Sequence, residues 1–170
     1  MRIVGIVLIV ISCAGLGMVK GNEMGQRLKL LKEWQRLILL LQQEISCHTT
    51  LSDAFINVSK RALPPFQEFL MHLSERLTLY EGKSFCQLFS EEVNMTMKES
   101  SLSREDIEQM KTLGEMMEGA DRAMQKKILE RYGKELEITI GELRVQLPSK
   151  QKLYRSLGIL GGVFLGILLL

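Results

Sequence analysis

The chain has little of the side-chain chemistry on which catalysis or cofactor binding usually rests. Its only histidines are His48 and His72, and they do not form a paired ligand spacing such as two histidines four apart on one helix. The three cysteines, Cys13, Cys47 and Cys86, are an odd number whose spacing suggests no disulfide framework, although Cys47 and Cys86 remain able to pair. A net charge of +2 names no partner by electrostatics. Lys126, Lys127, Arg131 and Lys134 form a basic stretch, but Glu130 and Glu135 interleave it, which argues against a nucleic-acid groove. Period-two runs of β-branched residues are missing as well, so nothing competes with a helical reading. Tandem repeats and low-complexity linkers are equally absent.

The fragments that resemble chemistry have simpler readings. Gly82-Lys83-Ser84 looks like the tail of a phosphate-binding loop, but Leu77 stands where that motif needs its first glycine, and a helical stretch precedes it where a strand is required. A turn and a helix cap account for it. Cys47 and His48 are adjacent, yet neighbouring side chains point apart and no third orienting group is evident, so a loop between helices is expected. Glu91-Glu92, and Glu115 with Glu118, read as solvated faces. No catalytic, cofactor-binding or metal-ligating residue is assigned, and no cofactor is implied.

What the chain does have is two apolar ends. Residues 3–19 and 157–170 carry no charge, and nearly every ionisable residue lies between them. A membrane-crossing helix needs about 20 residues, with a lower limit near 17, because each residue advances only ~1.5 Å. The first segment just qualifies. The second becomes long enough when Leu153, Tyr154 and Ser156 extend it and Arg155 snorkels to the headgroups. Two spans place the middle of the chain on one side of the bilayer. Lys20, Arg27, Lys29, Lys32, Lys150, Lys152 and Arg155 flank the spans on that side, which makes it cytoplasmic by the positive-inside rule, while Arg2 argues the other way. A rival reading takes Val10-Ile11-Ser12-Cys13 as a lipoprotein signal cleaved before Cys13, which would put the middle outside the cell. The apolar run continues through Ala14, Leu16, Met18 and Val19, where a processed lipoprotein usually has a polar tether, so an uncleaved span is favoured.

The middle reads as helix nearly throughout. In residues 22–46, Leu28, Leu31, Trp34, Leu37, Ile38, Leu41 and Ile45 follow the three-and-four spacing of one helix face. Leu30, Leu39 and Leu40 fall off that stripe and widen it. Thr50 with Asp53 has the form of a capping box opening a helix with Leu51, Ala54, Phe55 and Val58 inward, which stops at Leu63-Pro64-Pro65. A helix over residues 65–80 uses Phe66, Phe69, Leu70, Leu73 and Leu77, and Gly82 closes it. Lys83 or Ser84 opens a fourth, with Phe85, Leu88, Phe89, Val93 and Met97. Ser103 with Asp106 caps a fifth, with Ile107, Met110, Leu113 and Met117, which ends near Gly119. Asp121 caps a sixth, on which Met124, Ile128, Leu136, Ile140, Leu143 and Leu147 run towards Pro148.

The expected architecture is therefore all-α: an antiparallel bundle of about six helices over residues 21–150, flanked by transmembrane helices at 1–20 and 151–170. The ten methionines read mainly as core filler. Gly158, Gly162 and Gly166 follow at four-residue steps in the second apolar segment and form a candidate packing face, with the first span and its Gly15 and Gly17 as the nearest partner.

From about Lys29 to the C-terminus the chain resembles the stage III sporulation protein AB family of endospore-forming bacteria. The resemblance rests on three groups of residues: Thr49-Thr50-Leu51-Ser52-Asp53-Ala54-Phe55; Leu113-Gly114 with Asp121 and Gln125; and Lys152-Leu153-Tyr154-Arg155-Ser156-Leu157-Gly158 with Gly161-Gly162. It implies a soluble domain similar to the cytoplasmic domain of the type II secretion platform protein, and a place in the channel complex between mother cell and forespore. The implied partners are a secretion-type ATPase, other membrane proteins of the same sporulation complex and the lipid bilayer, with no nucleic acid. Self-association into a homo-oligomer is a further expectation. The implied role is that of a scaffold rather than an enzyme.

Overall fold

The computed structural model describes the backbone of residues 2–47, 49–79 and 82–168, and the side chains of residues 22–47, 49–79 and 82–150 together with Lys152, Leu153, Ser156, Leu157 and Leu160. Among the described residues every regular element is a helix: α1 (Arg2–Ser46), α2 (Leu51–Ser59), α3 (Phe66–Leu79), α4 (Phe85–Met97), α5 (Arg104–Met117) and α6 (Arg122–Leu168). The all-α expectation is met, but the helices at the two ends are divided differently. The sixth helix was expected to run towards Pro148 with a separate helix from residue 151, and a single α6 passes through Pro148 instead. Its fixed φ is close to the helical value, so the helix gives up the one backbone hydrogen bond that the missing amide would have made. The first bundle helix is likewise continuous with the N-terminal segment.

The chain divides into two compact units, Leu30–Thr139 and the pair Met1–Lys29 with Ile140–Leu170. In the latter, Leu28 on α1 and Ile140 and Leu143 on α6 are buried. Among the described residues no helix is long and apolar enough to cross a membrane. The side chains of residues 3–19 and nearly all of 157–170, which form the two expected spans, lie outside the described ones.

In the unit Leu30–Thr139, α1 supplies the centre of the core. Leu31, Trp34, Leu37, Ile38, Leu41 and Ile45 are all buried, as their spacing predicts. Trp34 stacks on Phe66 of α3 with ring centres 5.3 Å apart and meets Phe69 edge-on at 6.0 Å. Phe69 in turn meets Phe89 of α4 edge-on at 5.1 Å, Phe89 lies 5.6 Å from Phe85, and Phe85 stacks on Phe55 of α2 at 6.2 Å. Aromatic pairs of this kind add about 0.5–1.5 kcal/mol each beyond area burial. A run of rings thus ties four helices together. Gly114 of α5 allows that helix to close on the same cluster, because a Cβ there would lie 2.7 Å from Phe89 Cδ1.

The off-stripe leucines behave unequally: Leu40 is half-buried, whereas Leu39 is exposed. The stripe expected on α6 is turned slightly from the observed one. Leu129 and Tyr132 are buried with Ile128 and Leu136, and Met124 is exposed. Leu77, Ile107 and Leu147 are half-buried.

Helix ends follow local chemistry closely. Ser103 accepts from the Asp106 amide while the Asp106 carboxylate accepts from the Ser103 amide, a complete capping box. Ser84 and Gln87 form a second complete box at α4. At α2 only half of the expected box forms: Thr50 accepts from the Asp53 amide, but its hydroxyl donates to the Asp53 carboxylate, which takes that oxygen away from the Thr50 amide. Gly82 and Gly119, at φ +72° and +67°, take the left-handed turn that ends α3 and α5.

The contacts between helices have contrasting chemistry. Between α2 and α3, the Ser52 hydroxyl lies 3.1 Å from Ser74 Oγ and 3.0 Å from Thr78 Oγ1, and Ser74 donates to the Ser52 carbonyl at 2.9 Å. Between α3 and α4 the link is ionic. Arg76 donates to Glu92 at 2.9 Å and to Glu91 at 2.6 Å, and Lys83 donates to Glu91 at 2.8 Å.

Candidate docking site

Among the described residues, those singled out from the sequence do not converge. Gly158, Gly162 and Gly166 fall at four-residue steps on α6, and their surroundings lie outside the described residues, as do His48, Cys13, Gly15 and Gly17. Cys47 is exposed and Cys86 half-buried, and both are free. Among the described residues no three of His, Cys, Asp and Glu come together to hold a metal ion. Lys83 and Ser84 serve as ion-pair donor and helix cap, as the turn reading predicts.

The expectation of a solvated Glu91-Glu92 face needs correction. Glu91 is partly exposed, but the Glu92 side chain is only 3% exposed, enclosed between α3 and α4 where Arg76 reaches it. Its other oxygen, Oε2, has no hydrogen-bond partner among the described residues and lies 3.7 Å from His72 Nδ1. Hydrogen bonds from Lys83 and then Arg76 hold the Glu91 carboxyl below its ordinary value. This cluster fastens two helices. Glu115 and Glu118 are exposed as expected, and Glu118 Oε2 also accepts from the Ser84 hydroxyl and the Cys86 amide at 3.3 Å each, next to the start of α4. A carboxylate suits that position because helix N-termini carry partial positive charge.

The surface best suited to a macromolecule lies between the end of α5 and the start of α6. The left-handed Gly119 ends α5, and Asp121 restarts the chain as α6 by accepting the Met124 amide at 2.8 Å, so the two helices are joined by a short turn. Beside it runs a groove of about 320 Å³ lined by Met116, Met124, Ile128, Lys127 and Arg131. Met116 is 38% exposed and Met124 53%, while Ile128 forms the floor. Arg131 leans over the groove, donating to Met116 Sδ at 3.1 Å and approaching Glu135 at 3.6 Å. Lys134 is turned towards Glu130 at 3.0 Å, and this pairing lowers the Glu130 carboxyl from its ordinary value. The basic stretch seen in the sequence is therefore split: Lys134 is paired, while Lys127 and Arg131 border an apolar trough. Exposed methionine is suited to such a place because the unbranched thioether adapts to different shapes. The sequence signal was present, in Met116 and Met124 either side of Gly119 with cations one and two turns on, but reading methionine as core filler hid it.

A second, wider groove of about 590 Å³ between α4 and α5 is lined by Asn94, Lys98, Arg104, Ile107, Glu108 and Lys111. Lys111 is bound to Glu108 there at 2.7 Å, and Ile107 is the only large apolar side chain.

Comparison with known proteins identifies the family. No curated protein sequence matches the chain. One solved structure, a stage III sporulation protein AB (SpoIIIAB), superposes with a TM-score of 0.64 at 20% identity, over 71% of this chain and 95% of that one. At that identity the likeness establishes the shared helical fold. The family profile described as stage III sporulation protein AB matches residues 2–170, from the first apolar segment to the last. The chain belongs to the stage III sporulation protein AB family.

Proposed function

We propose that the chain is a non-enzymatic membrane platform component of the secretion-like channel complex between mother cell and forespore, needed for endospore formation. In this reading the two apolar ends are transmembrane helices, and the helical domain lies on the mother-cell cytoplasmic side, where it docks a secretion-type ATPase and sibling membrane proteins. Gly158, Gly162 and Gly166 form the face on which the second span packs. The observation that carries the reading is the family match, which includes both apolar ends. The basic residues flanking those ends support the orientation, and the exposed Met116–Met124 trough supplies a surface suited to a protein partner.

An ATPase working on the domain would act mechanically, with the spans anchoring or transmitting the motion. Topology is the first test, because Cys47 is exposed and available to label. An impermeant thiol reagent is expected to leave Cys47 unmodified in intact sporulating cells and to modify it once the membrane is opened. Modification in intact cells would overturn the cytoplasmic placement in favour of an extracytoplasmic lipoprotein processed at Cys13. Copurification of the full-length chain with an ATPase or a sibling membrane protein is the second test, and its failure would remove the docking role.

A further inference from the structure

The α5–α6 groove combines three properties that together select a kind of partner. Its floor and walls are apolar, with Met116 and Met124 open to solvent over Ile128. Its α6 border carries Lys127 and Arg131, four residues and hence about 6 Å apart along the helix. Neither cation is firmly committed within the chain. Lys127 has no ion-pair partner among the described residues, and the ion pair of Arg131 among them is with Glu135, at 3.6 Å with both side chains more than half exposed, beside its hydrogen bond to the neutral Met116 thioether. An ion pair that open to water is worth little and is readily exchanged.

We propose that this groove receives an acidic amphipathic helix of another protein of the same complex, a deepening of the docking role that rests on that role being correct. Apolar side chains of the incoming helix sit on Met116, Met124 and Ile128, and carboxylates spaced i and i+4 face Lys127 and Arg131. A helix fits because its i to i+4 repeat matches the spacing of the two cations, and apolar residues at three-and-four steps beside those carboxylates form the stripe that the trough accepts. The charge must be carboxylate on a protein and not the anionic face of a bilayer. Glu115 on α5, Glu118 at its C-terminal cap, and Glu130 and Glu135 on α6 are exposed, and an anionic lipid surface, broad enough to meet them together, would be repelled.

The test uses the full-length chain in sporulating cells, with a photo-crosslinking amino acid in place of Met124 and sequencing of the captured peptide. The expected product is a segment of another protein of the complex that carries acidic residues four apart beside an apolar stripe. Lys127→Glu with Arg131→Glu should lower the yield about tenfold or more, as reversal of two complementary charges does, and replacing the partner's two carboxylates with lysine should restore it. Both side chains are on the surface, and unchanged helical circular dichroism confirms that the variant folds. Capture of a basic segment, of lipid or of a second copy of this chain would overturn the proposal, as would a yield indifferent to the charge reversal. If the wild-type chain copurifies with its partners while the reversal has no effect, the groove assignment alone fails. If it copurifies with none, the docking role fails and this proposal with it.

Discussion

Trp34 Nε1 donates to the Tyr132 hydroxyl at 3.0 Å, a buried bond between α1 and α6 across 98 residues of sequence. It joins the first and last helices of the core at the ring that also stacks on Phe66. Tyr132→Phe would leave the indole N–H in the core without an acceptor, at a cost of about 1–3 kcal/mol. Urea unfolding of the detergent-solubilised chain at neutral pH measures it. Burial, the largest effect, raises the Tyr132 hydroxyl above its ordinary 10.0, with Asp106 and Glu135 adding to the rise and the Trp34 bond opposing it. The folded state therefore keeps a proton that the unfolded chain releases, so the contribution of Tyr132 to stability is fully present below pH 10.0 and falls above it. The Phe variant lacks that titration, and the gap between the two proteins should narrow as the solution is made alkaline.

Arg76 is the shared donor for one buried and one half-open carboxylate, and the two should weigh very differently. Arg76→Ala strands Glu92, whose side chain is 3% exposed, without its cation, and the expected loss is about 3–5 kcal/mol. Lys83→Ala removes a partner of Glu91 in a pair with both side chains 43% exposed, and the expected loss is far smaller because water screens the pair. Denaturant midpoints of the two variants decide this. Equal losses would mean that the α3–α4 contact does not depend on Glu92.

Two glycines inside helices make opposite predictions for the same substitution. Alanine is the better helix former by about 1 kcal/mol. At Gly133 the new Cβ would lie 3.7 Å from Ile38 Cγ2, an ordinary contact, so Gly133→Ala should raise Tm slightly. At Gly114 it would lie 2.7 Å from Phe89 Cδ1, and Phe89 is 1% exposed with rings on two sides. Gly114→Ala should therefore lower stability by about 1–3 kcal/mol through overpacking. Thermal unfolding followed by circular dichroism separates the two.

Glu33 links α1 to the turn before α3. It pairs with Arg36 at 2.6 Å and accepts the Leu63 amide at 3.1 Å, while Arg36 also donates to the Arg61 carbonyl at 2.6 Å. The hydrogen bond from Arg36 is the main reason its carboxyl titrates below the ordinary 4.5. A lowered folded value means that the contribution is complete above 4.5 and is lost as pH falls through the folded value. Glu33→Gln keeps an acceptor for Leu63 but removes the titration. Its stability against pH should be flatter on the acid side than that of the wild type, and an unchanged acid limb would show that Glu33 does not contribute.

The fold was legible where one helix carries its own signal. The α1 stripe from Leu28 to Ile45 is buried as its spacing predicts, and Ser103, Asp106 and Asp121 cap as their positions predict. Glu92 was not legible, because its burial depends on Arg76, sixteen residues away on another helix, and nothing local separates it from a solvated glutamate. The α5–α6 groove was hidden for a related reason. Met117 is buried and Met116 is not, and neighbouring methionines differ only in which way the helix happens to face. Pro148 misled in the other direction, since a proline stops most helices but not one otherwise continued on both sides.

The two kinds of seam in the domain also answer differently to ionic strength. The Ser52, Ser74 and Thr78 hydroxyls hold α2 to α3 without any formal charge, so dissolved salt has nothing to screen there. On the far side of α3 the half-open Glu91 pairs weaken as salt rises while the enclosed Arg76–Glu92 pair persists. Raising salt should therefore loosen the bonds that Lys83 and Arg76 make to Glu91 while α2 stays in register and the enclosed Arg76–Glu92 pair keeps α4 against α3.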